Sequence, residues 1–223
     1  MVIRDPYVIL GLVILGVLVL FSVSKMPNSK AEDVHGNIGN TFTKLFRNKT
    51  YSQGVLAQIF YVGAQIMCWT YIYQYAEGIG MDSVTAGYYQ MTAFVLFTVG
   101  RAFGTYLLRF VNAGKLLMLF ALFAIGCTLG VVMINNVVGL YCLVGVSFFM
   151  SLMFPTIYGI ALGKLSEDES KIGSAGLVMA IVGGALMPKL QGMIIDIGGY
   201  AVNDVSIVGI SEINLSFLLP VLC

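Results

Sequence analysis

The sequence predicts an all-α membrane protein, and three observations support this fold class. Of the 223 residues, 58% are hydrophobic and only 10% are charged, whereas a soluble domain has about 25% charged residues. Apolar runs long enough to cross a bilayer recur along the chain, with short polar stretches between them. The mean hydropathy is +0.90. Because so few charges cannot cover a soluble surface, we expect the helices to face lipid.

The polar residues argue against several classes of function. The formal net charge of +1 argues against a nucleic-acid partner. The sequence contains one histidine, His35, and its cysteines have no metal-ligand spacing. These cysteines are Cys68, Cys127, Cys142 and Cys223. Because the sequence also has no catalytic triad, paired acids or nucleotide-binding loop, we expect no enzyme, no metal site and no cofactor.

Hydropathy divides the chain into candidate spans, since a membrane helix needs about 20 mostly apolar residues. The sequence predicts helices at about 5–24, 50–76, 85–110, 114–134, 137–163 and 170–197. Another apolar run starts near Ile213 and reaches Cys223, which is too short to cross, so an incomplete helix is expected at 213–223. No small-residue cleavage site follows the first run, and we expect no signal peptide.

The basic residues predict the orientation of these helices. If the 25–49 loop is cytoplasmic, nearly all lysines and arginines fall on the inner side, as the positive-inside rule requires. The inner side then holds Lys25, Lys30, Lys44, Arg47, Lys49, Arg109, Lys115, Lys164 and Lys171, and the outer side holds Arg4. We therefore expect a multi-pass protein of the cytoplasmic (inner) membrane with its N-terminus outside.

The 25–49 loop is the longest polar stretch, and its second part has an amphipathic pattern from Thr41 to Lys49. In a helix, Phe42, Leu45 and Phe46 would share one face. This arrangement suits a helix that lies on an anionic inner leaflet. A plain solvated linker is the alternative interpretation.

The stretch from Tyr61 to Tyr75 carries the most informative side chains. Gln65, Trp69 and Tyr73 recur every fourth residue, so a continuous helix would present them on one face. An amide at this depth is costly unless it faces protein or a wet cavity. The amide would bond sugar hydroxyls, and the rings would pack on the C–H surface of a sugar. Helix–helix packing with Gln65 bonded across the interface is the alternative.

Later helices contain further candidates. Arg101 either extends to the inner end of its helix or pairs with an acid and locks an inner gate. Pro155 removes a backbone hydrogen bond and permits a kink, which is either a hinge or static. Gly183 and Gly184 loosen the 170–197 helix. Lys189 either contacts substrate, pairs with a carboxylate on another helix, or extends to the outer surface.

Five blocks of this sequence carry a family resemblance. They are GAQIMCWTYIYQYA at 63–76, YYQMTAF…VGRAFGTYLL at 88–108, FFMSLMFPTIYGIAL at 148–162, GSAGLVMAIVGGALMP at 173–188 and GMIIDIGG at 192–199. In this order they resemble the C-terminal half of L-fucose–proton symporters, in the fucose/galactose/glucose branch of the major facilitator superfamily. The resemblance covers essentially the whole chain.

The resemblance implies a twelve-helix fold of two six-helix bundles. This chain would supply the sixth helix (1–24), the central cytoplasmic loop (25–49) and the C-terminal six-helix bundle (50–223), with its last helix truncated. The missing N-terminal bundle would be a partner, within the same full-length chain or as a separate one. In the family, that bundle contains the acids that handle the proton, which is the coupling ion.

The resemblance also implies proton-coupled symport of L-fucose or a related hexose such as glucose or galactose, by alternating access. The best candidates for the cavity wall are then Gln65, Trp69, Tyr73, Tyr89 and Phe154. Lys189 departs from the family's pattern and is a further candidate for substrate contact. Arg101 and Arg109 would act at the inner gate. Pro155 and the Gly183–Gly184 pair would let helices bend.

Two other classes of function are open at this stage. One is a carrier of the same fold for drugs or other solutes. Such a carrier would be expected to have an acid-lined cavity that binds hydrophobic cations, and no mid-membrane acid is evident in the sequence. The other is a membrane subunit that does not transport, which would show no sugar-dependent thermal shift once assembled.

Overall fold

The computed structural model describes residues 4–24, 38–196, 206–207 and 210–223. The chain divides into two compact units, Met1–Ile38 and Gly39–Cys223. The first unit contains helix α1, Arg4–Val23, which has 20 residues. Its described side chains, Tyr7–Val23, form an apolar stretch somewhat shorter than a full span. Most of the polar loop, residues 25–37, lies outside the described residues.

Helix α2, Ile38–Arg47, belongs to the second unit from Gly39 onward and packs against other helices of that unit. Its Leu45 is buried in a small cluster with Tyr51, Ala161 and Leu177. Phe46 is 48% exposed, and its ring meets the Tyr51 ring edge-on at 6.0 Å. The structure does not describe the side chain of Phe42. The apolar face predicted for this segment therefore contacts protein at Leu45, a contact that neither the membrane-surface helix nor the solvated linker predicted.

Helix α3, Lys49–Thr70, begins at Asn48, whose side chain accepts a hydrogen bond from the Thr50 amide. Helix α4, Ile72–Gly78, follows after a break at Tyr71, and the two axes differ by 42°. The helix predicted over 50–76 is therefore formed by two helices with a break at Tyr71. The residues around the break are aromatic or β-branched and favour the helix only weakly. The Tyr71 hydroxyl donates to the Pro188 carbonyl at 2.8 Å and holds the break against another helix.

The next three helices each begin at an asparagine or aspartate, whose side-chain oxygen accepts a hydrogen bond from an amide in the first turn. They are α5, Ser83–Leu107, capped by Asp82; α6, Ala113–Met133, capped by Asn112; and α7, Val137–Met150, capped by Asn136. Helix α8, Met153–Leu162, continues from α7 after a break at Ser151 and Leu152.

The break between α7 and α8 interrupts the helix predicted at 137–163. Pro155 has no backbone N–H, so it cannot donate to the carbonyl of Ser151 one turn earlier. The helix therefore breaks on the N-terminal side of the proline, where the missing hydrogen bond would have been.

Helix α9, Glu167–Met179, starts with a capping box formed by Ser166 and Glu169. A single 3₁₀ turn, Ala180–Val182, separates it from helix α10, Gly183–Ile195. The end of the chain contains a two-stranded antiparallel hairpin and two short helices. These are β1, Ser206–Ile207; β2, Ile210–Ser211; α11, Glu212–Ser216; and α12, Leu218–Leu222. Residues 197–205 and 208–209 lie outside the described residues.

Among the described residues, three helical stretches are long and apolar enough to cross a membrane, and the α3–α4 pair makes a fourth if it is counted as one span. The three are Ala113–Met133, Val137–Leu162 and Glu167–Ile195. Helix α5 has 25 residues, but its tyrosines, threonines, Gln90 and Arg101 lower its hydropathy, and it is not among them. The predicted span at 85–110 is therefore long enough but more polar than the others.

Helix α3 is central to the packing, because it contacts α8 on one side and α10 on the other. A Cβ added to Gly183 would overlap the carbonyl oxygen of Ile59, so α10 and α3 touch through their backbones. Helix α5 approaches the α7–α8 break in the same way, since a Cβ on Gly100 would lie 2.6 Å from the Phe148 carbonyl oxygen. Glycines in these positions let membrane helices come close together.

Candidate functional site

The candidate site is built around the break between α7 and α8, where side chains from α3 and α5 converge. From α3, the Trp69 ring N–H donates to the Ser147 hydroxyl at 3.1 Å. The Trp69 ring also meets the rings of Phe94 and Phe97 edge-on, each with centroids 5.0 Å apart. Hydrogen bond and ring contacts together hold the indole in one orientation.

Two turns before Trp69, the Tyr61 hydroxyl donates to the Met150 carbonyl at 2.8 Å. Gln65 lies midway between these two residues on the same helix face. Because both neighbours are bonded to the last turn of α7, Gln65 faces that turn as well. Its side chain is 8% exposed, and within the described part of the chain no hydrogen bond is formed by its amide. The amide can therefore both donate and accept.

An aromatic group extends this wall across the break. The Phe154 ring stacks on the Tyr158 ring at 6.4 Å and meets the Tyr61 ring at 6.5 Å. One turn below Tyr61, Gln58 is fully buried, and neither of its amide atoms has a partner among the described residues. The structure thus brings Gln65, Trp69 and Phe154 to one region, as the sequence predicted for residues of one site.

Arg101 belongs to this region too, although the sequence placed it at an inner gate. Its Nε donates to the Ser151 carbonyl at 3.2 Å, and its guanidinium carbon lies 4.9 Å from the centre of the Phe97 ring. Within the described residues no carboxylate pairs with it, so the predicted ion pair with an acid is not formed there. The Arg101 side chain is exposed, and its guanidinium is bonded to the α7–α8 break rather than extended to the helix end.

Tyr73 and Tyr89 lie further along, beyond the break at Tyr71. The Tyr73 side chain is 38% exposed, and its hydroxyl is 3.1 Å from where a Cβ on Gly87 would stand. The Tyr89 ring meets the Tyr141 ring at 5.8 Å. The break turns Tyr73 toward the start of α5, so the single face predicted for Gln65, Trp69 and Tyr73 does not continue past Thr70.

The remaining predicted residues lie outside this region. Lys189 is exposed on α10, and among the described residues it meets no carboxylate, so the predicted pairing is not seen there. Arg109 is exposed in the turn after α5. Gly183 and Gly184 directly follow the 3₁₀ turn and pack against α3. A Cβ added to Gly184 would lie 3.0 Å from the side chains of Val62 and Ile66.

Sequence reasoning missed the part played by Phe97 and the buried polar cluster at the end of α10. Phe97 precedes Arg101 by four residues, a helical spacing that could have indicated their contact. In the cluster, the Gln191 amide donates to the Ser216 hydroxyl at 3.0 Å, and the Asn214 amide donates to the Val131 carbonyl at 2.7 Å. Glu212, at the start of α11, is fully buried beside them.

A second charged feature lies where α2 meets α9. Lys44 Nζ is 2.7 Å from Glu169 Oε1, and Glu169 also accepts from the Ser166 amide at 3.1 Å. Glu169 precedes the span predicted at 170–197. The hydrogen bond from Lys44, followed by the Ser166 bonds, lowers the pKa of this carboxyl to about 2. This ion pair ties α2 to the first turn of α9.

Bent membrane helices that converge on a polar and aromatic wall are typical of solute carriers. The family model described as Major Facilitator Superfamily matches residues 4–188, and the chain belongs to this superfamily. It is 48% identical over 223 residues to the L-fucose-proton symporter of Haemophilus influenzae, covering 99% of this chain and 50% of that protein. It is 32% identical to the L-fucose-proton symporter of Escherichia coli, over 99% of this chain and 49% of the relative.

The solved structures agree with these relatives. A crystal structure of the Escherichia coli fucose:proton symporter FucP matches with a TM-score of 0.81 and 32% identity, over 99% of this chain and 52% of that one. FucP in the outward conformation matches with a TM-score of 0.80. The chain therefore spans about half the length of its relatives, and its helices form the C-terminal bundle of the major facilitator fold.

Proposed function

We propose that this chain is the C-terminal half of a proton-coupled sugar transporter, which moves L-fucose or a related hexose such as glucose or galactose. The observation that carries the proposal is the 48% identity to a protein named L-fucose-proton symporter over 99% of this chain. A relative named glucose/galactose transporter, from Brucella abortus, is 27% identical over 99% of the chain. We therefore keep both types of hexose in the proposal.

The wall around the α7–α8 break has the chemistry that such a substrate needs. A hexose presents hydroxyl groups at its edge and C–H groups on its faces. The unbonded amide of Gln65 would exchange hydrogen bonds with the hydroxyls, and Trp69 would pack against a C–H face. Phe154 supports the wall from α8, and Tyr73, Tyr89 and Lys189 remain candidates for contacts further out.

The proposed mechanism is alternating access, in which two bundles rock about a site near the bilayer midplane. An N-terminal bundle, in the same full-length protein or in a separate chain, would supply the opposite wall. This proposal is supported by the relatives, of which the chain covers only about half. We propose the proton as the coupling ion, Arg109 as part of the inner gate, and Pro155 and Gly183–Gly184 as points of bending.

We further propose that the protein lies in the cytoplasmic membrane, with its N-terminus outside and the 25–49 segment in the cytoplasm. The support is the distribution of basic residues. Lys44 meets the first turn of α9 at Glu169, and Lys164 and Lys171 flank this turn, so these lysines share one end of the bundle. The positive-inside rule assigns such an end to the cytoplasm.

The test is uptake of labelled L-fucose by bacteria that lack their own fucose carrier and express the full reading frame containing this chain. We expect accumulation that a protonophore abolishes and that unlabelled glucose or galactose reduces if they share the site. An empty vector is the control. Extrusion of hydrophobic cations without hexose uptake would instead indicate a drug carrier. If neither activity appears in membranes that contain the folded protein, the chain is a subunit that does not transport.

A further inference from the structure

Pro155 leaves a backbone carbonyl at the α7–α8 break without its usual hydrogen-bond donor. In a regular helix, the N–H of residue 155 would donate to the carbonyl of residue 151, but proline has no N–H. The Ser151 carbonyl thus loses its donor, and Ser151 is fully buried. A buried carbonyl without a donor is unfavourable. In the structure this carbonyl accepts a hydrogen bond from Arg101 Nε, at 3.2 Å, and Arg101 belongs to a different helix, α5.

The Arg101 guanidinium, which supplies this donor, is held in place by further contacts. It lies over the Phe97 ring at 4.9 Å, one helical turn away on α5. The Phe97 ring meets the Trp69 ring, and the Trp69 N–H bonds the hydroxyl of Ser147 on α7. A continuous set of contacts therefore runs from one side of the break, through α5 and α3, back to the other side.

We propose that Arg101 is a positioning residue, which stabilises the break between α7 and α8 by supplying the hydrogen-bond donor that Pro155 lacks. Through Phe97 it also sets the position of Trp69 in the candidate wall. Arginine suits this task because its guanidinium stays charged, forms charge-assisted hydrogen bonds, and stacks on an aromatic face. The consequence for substrate rests on the proposed sugar transport, whereas the contact between α5 and the break does not.

A double-mutant cycle in the full-length protein tests this pairing. Arg101→Met is expected to lower the Tm of the detergent-purified protein by about 5 °C, because the Ser151 carbonyl is left unpaired. Pro155→Ala restores an N–H at position 155, which can donate to that carbonyl within the helix. In the Pro155→Ala background, Arg101→Met should therefore lower the Tm no more than Lys164→Met does. Lys164 is an exposed lysine between α8 and α9 and serves as the charge-removal control.

Equal losses of Tm in the two backgrounds would show that Arg101 does not act through the carbonyl left by Pro155, and would overturn the proposal. If Arg101→Met does not yield folded protein, Arg101→Lys replaces it in the same cycle. This variant keeps the positive charge and a flexible donor group. We therefore expect a smaller loss of Tm, which again appears only in the protein that retains Pro155.

Transport kinetics separate positioning from a purely structural role. If Arg101 positions the wall, Arg101→Met should raise KM for L-fucose by roughly tenfold, and Arg101→Lys should recover part of this loss. A change in the amount of folded protein alone would lower the maximal rate and leave KM unchanged, which would contradict positioning. If the protein transports no sugar, the Tm cycle still decides whether Arg101 and Pro155 are coupled.

Discussion

Gln65 is a single amide between two residues that are already hydrogen-bonded to the same helix. Tyr61 and Trp69 both bond the last turn of α7, and Gln65 faces that turn with its own donors and acceptor unused among the described residues. An unused amide is costly in a membrane interior unless something polar reaches it. At the residue scale, this is the strongest indication that the wall binds a polar solute.

Replacement of this amide should weaken sugar binding without unfolding the bundle. We expect Gln65→Ala to raise KM for L-fucose by roughly fivefold, because one hydrogen bond contributes about 1 kcal/mol. Uptake kinetics of the full-length protein measure this. Gln53→Ala is the matched control, since Gln53 is an exposed amide at the start of the same helix. A Gln65→Ala protein with unchanged KM would remove Gln65 from the proposed site.

Three breaks define the bundle at the scale of its elements. They fall at Tyr71 in the α3–α4 pair, at Ser151 in the α7–α8 pair, and at the 3₁₀ turn between α9 and α10. Helix α3 packs against both of the other broken helices, through α8 and α10. Broken helices are common where transporters bind their substrates.

The contact between α3 and α10 should be intolerant of even one methyl group. Gly183→Ala would place a Cβ on the Ile59 carbonyl oxygen, and forcing the helices apart typically costs about 1–3 kcal/mol. We expect a lower Tm in detergent. Gly126→Ala in α6 is the control, since nothing lies within 4 Å of its added Cβ, and we expect an unchanged or slightly higher Tm. Equal Tm values for both variants would show that α10 can move away from α3 without cost.

The Lys44–Glu169 pair between α2 and α9 should make stability depend on pH. The folded-state pKa of Glu169 is about 2, below its ordinary value of 4.5. The charged carboxylate therefore stabilises the fold above about pH 4.5, and this contribution is lost as the pH falls toward 2. We expect Glu169→Gln to lower the Tm at pH 7 and to have little effect near pH 2.

The control for this pair is Asp168→Asn, whose carboxylate is 78% exposed and 3.8 Å from the Lys171 ammonium. Exposed pairs of this kind contribute little to stability, so its Tm should match that of the parent at both pH values. The same Tm difference for Glu169→Gln at pH 7 and at pH 2 would mean that the carboxylate charge does not join α2 to α9.

At the scale of the whole molecule, the described part of the second unit has polar groups inside and large apolar groups outside. Gln58, Gln191 and Asn214 are fully buried, whereas Met118 and Leu122 on α6 are about 60% exposed. This distribution is the reverse of a soluble domain. It follows from lipid as the solvent, since apolar surface costs nothing there and polar groups in contact with lipid are costly.

The proposed orientation predicts which connections are reached from outside the cell. With a maleimide that cannot cross the membrane, Asn135→Cys between α6 and α7 should be labelled in intact cells. Lys164→Cys between α8 and α9 should be labelled only after permeabilisation. The parent protein, labelled in parallel, corrects for the native cysteines. The opposite pattern would invert the proposed topology and place the 25–49 segment outside.

The sequence by itself determined the class of protein and much of its outline. Hydropathy specified membrane helices because the bilayer demands long apolar runs with satisfied backbones. Pro155 indicated an interruption of 137–163, since a missing N–H is a property of the residue alone. The spacing of Gln65 and Trp69 correctly placed both residues on one face, because four residues make about one helical turn.

Tertiary structure decided what depends on residues far apart in the chain. The partner of Arg101 is a carbonyl fifty residues away, and no local pattern specifies that contact. The break at Tyr71 is held by the Pro188 carbonyl on α10, and it separates Tyr73 from the face of Gln65. Glu212 is buried by the packing of helices around it. Each outcome depends on which surfaces meet, which the free energy of the whole bundle determines rather than the preference of a short segment.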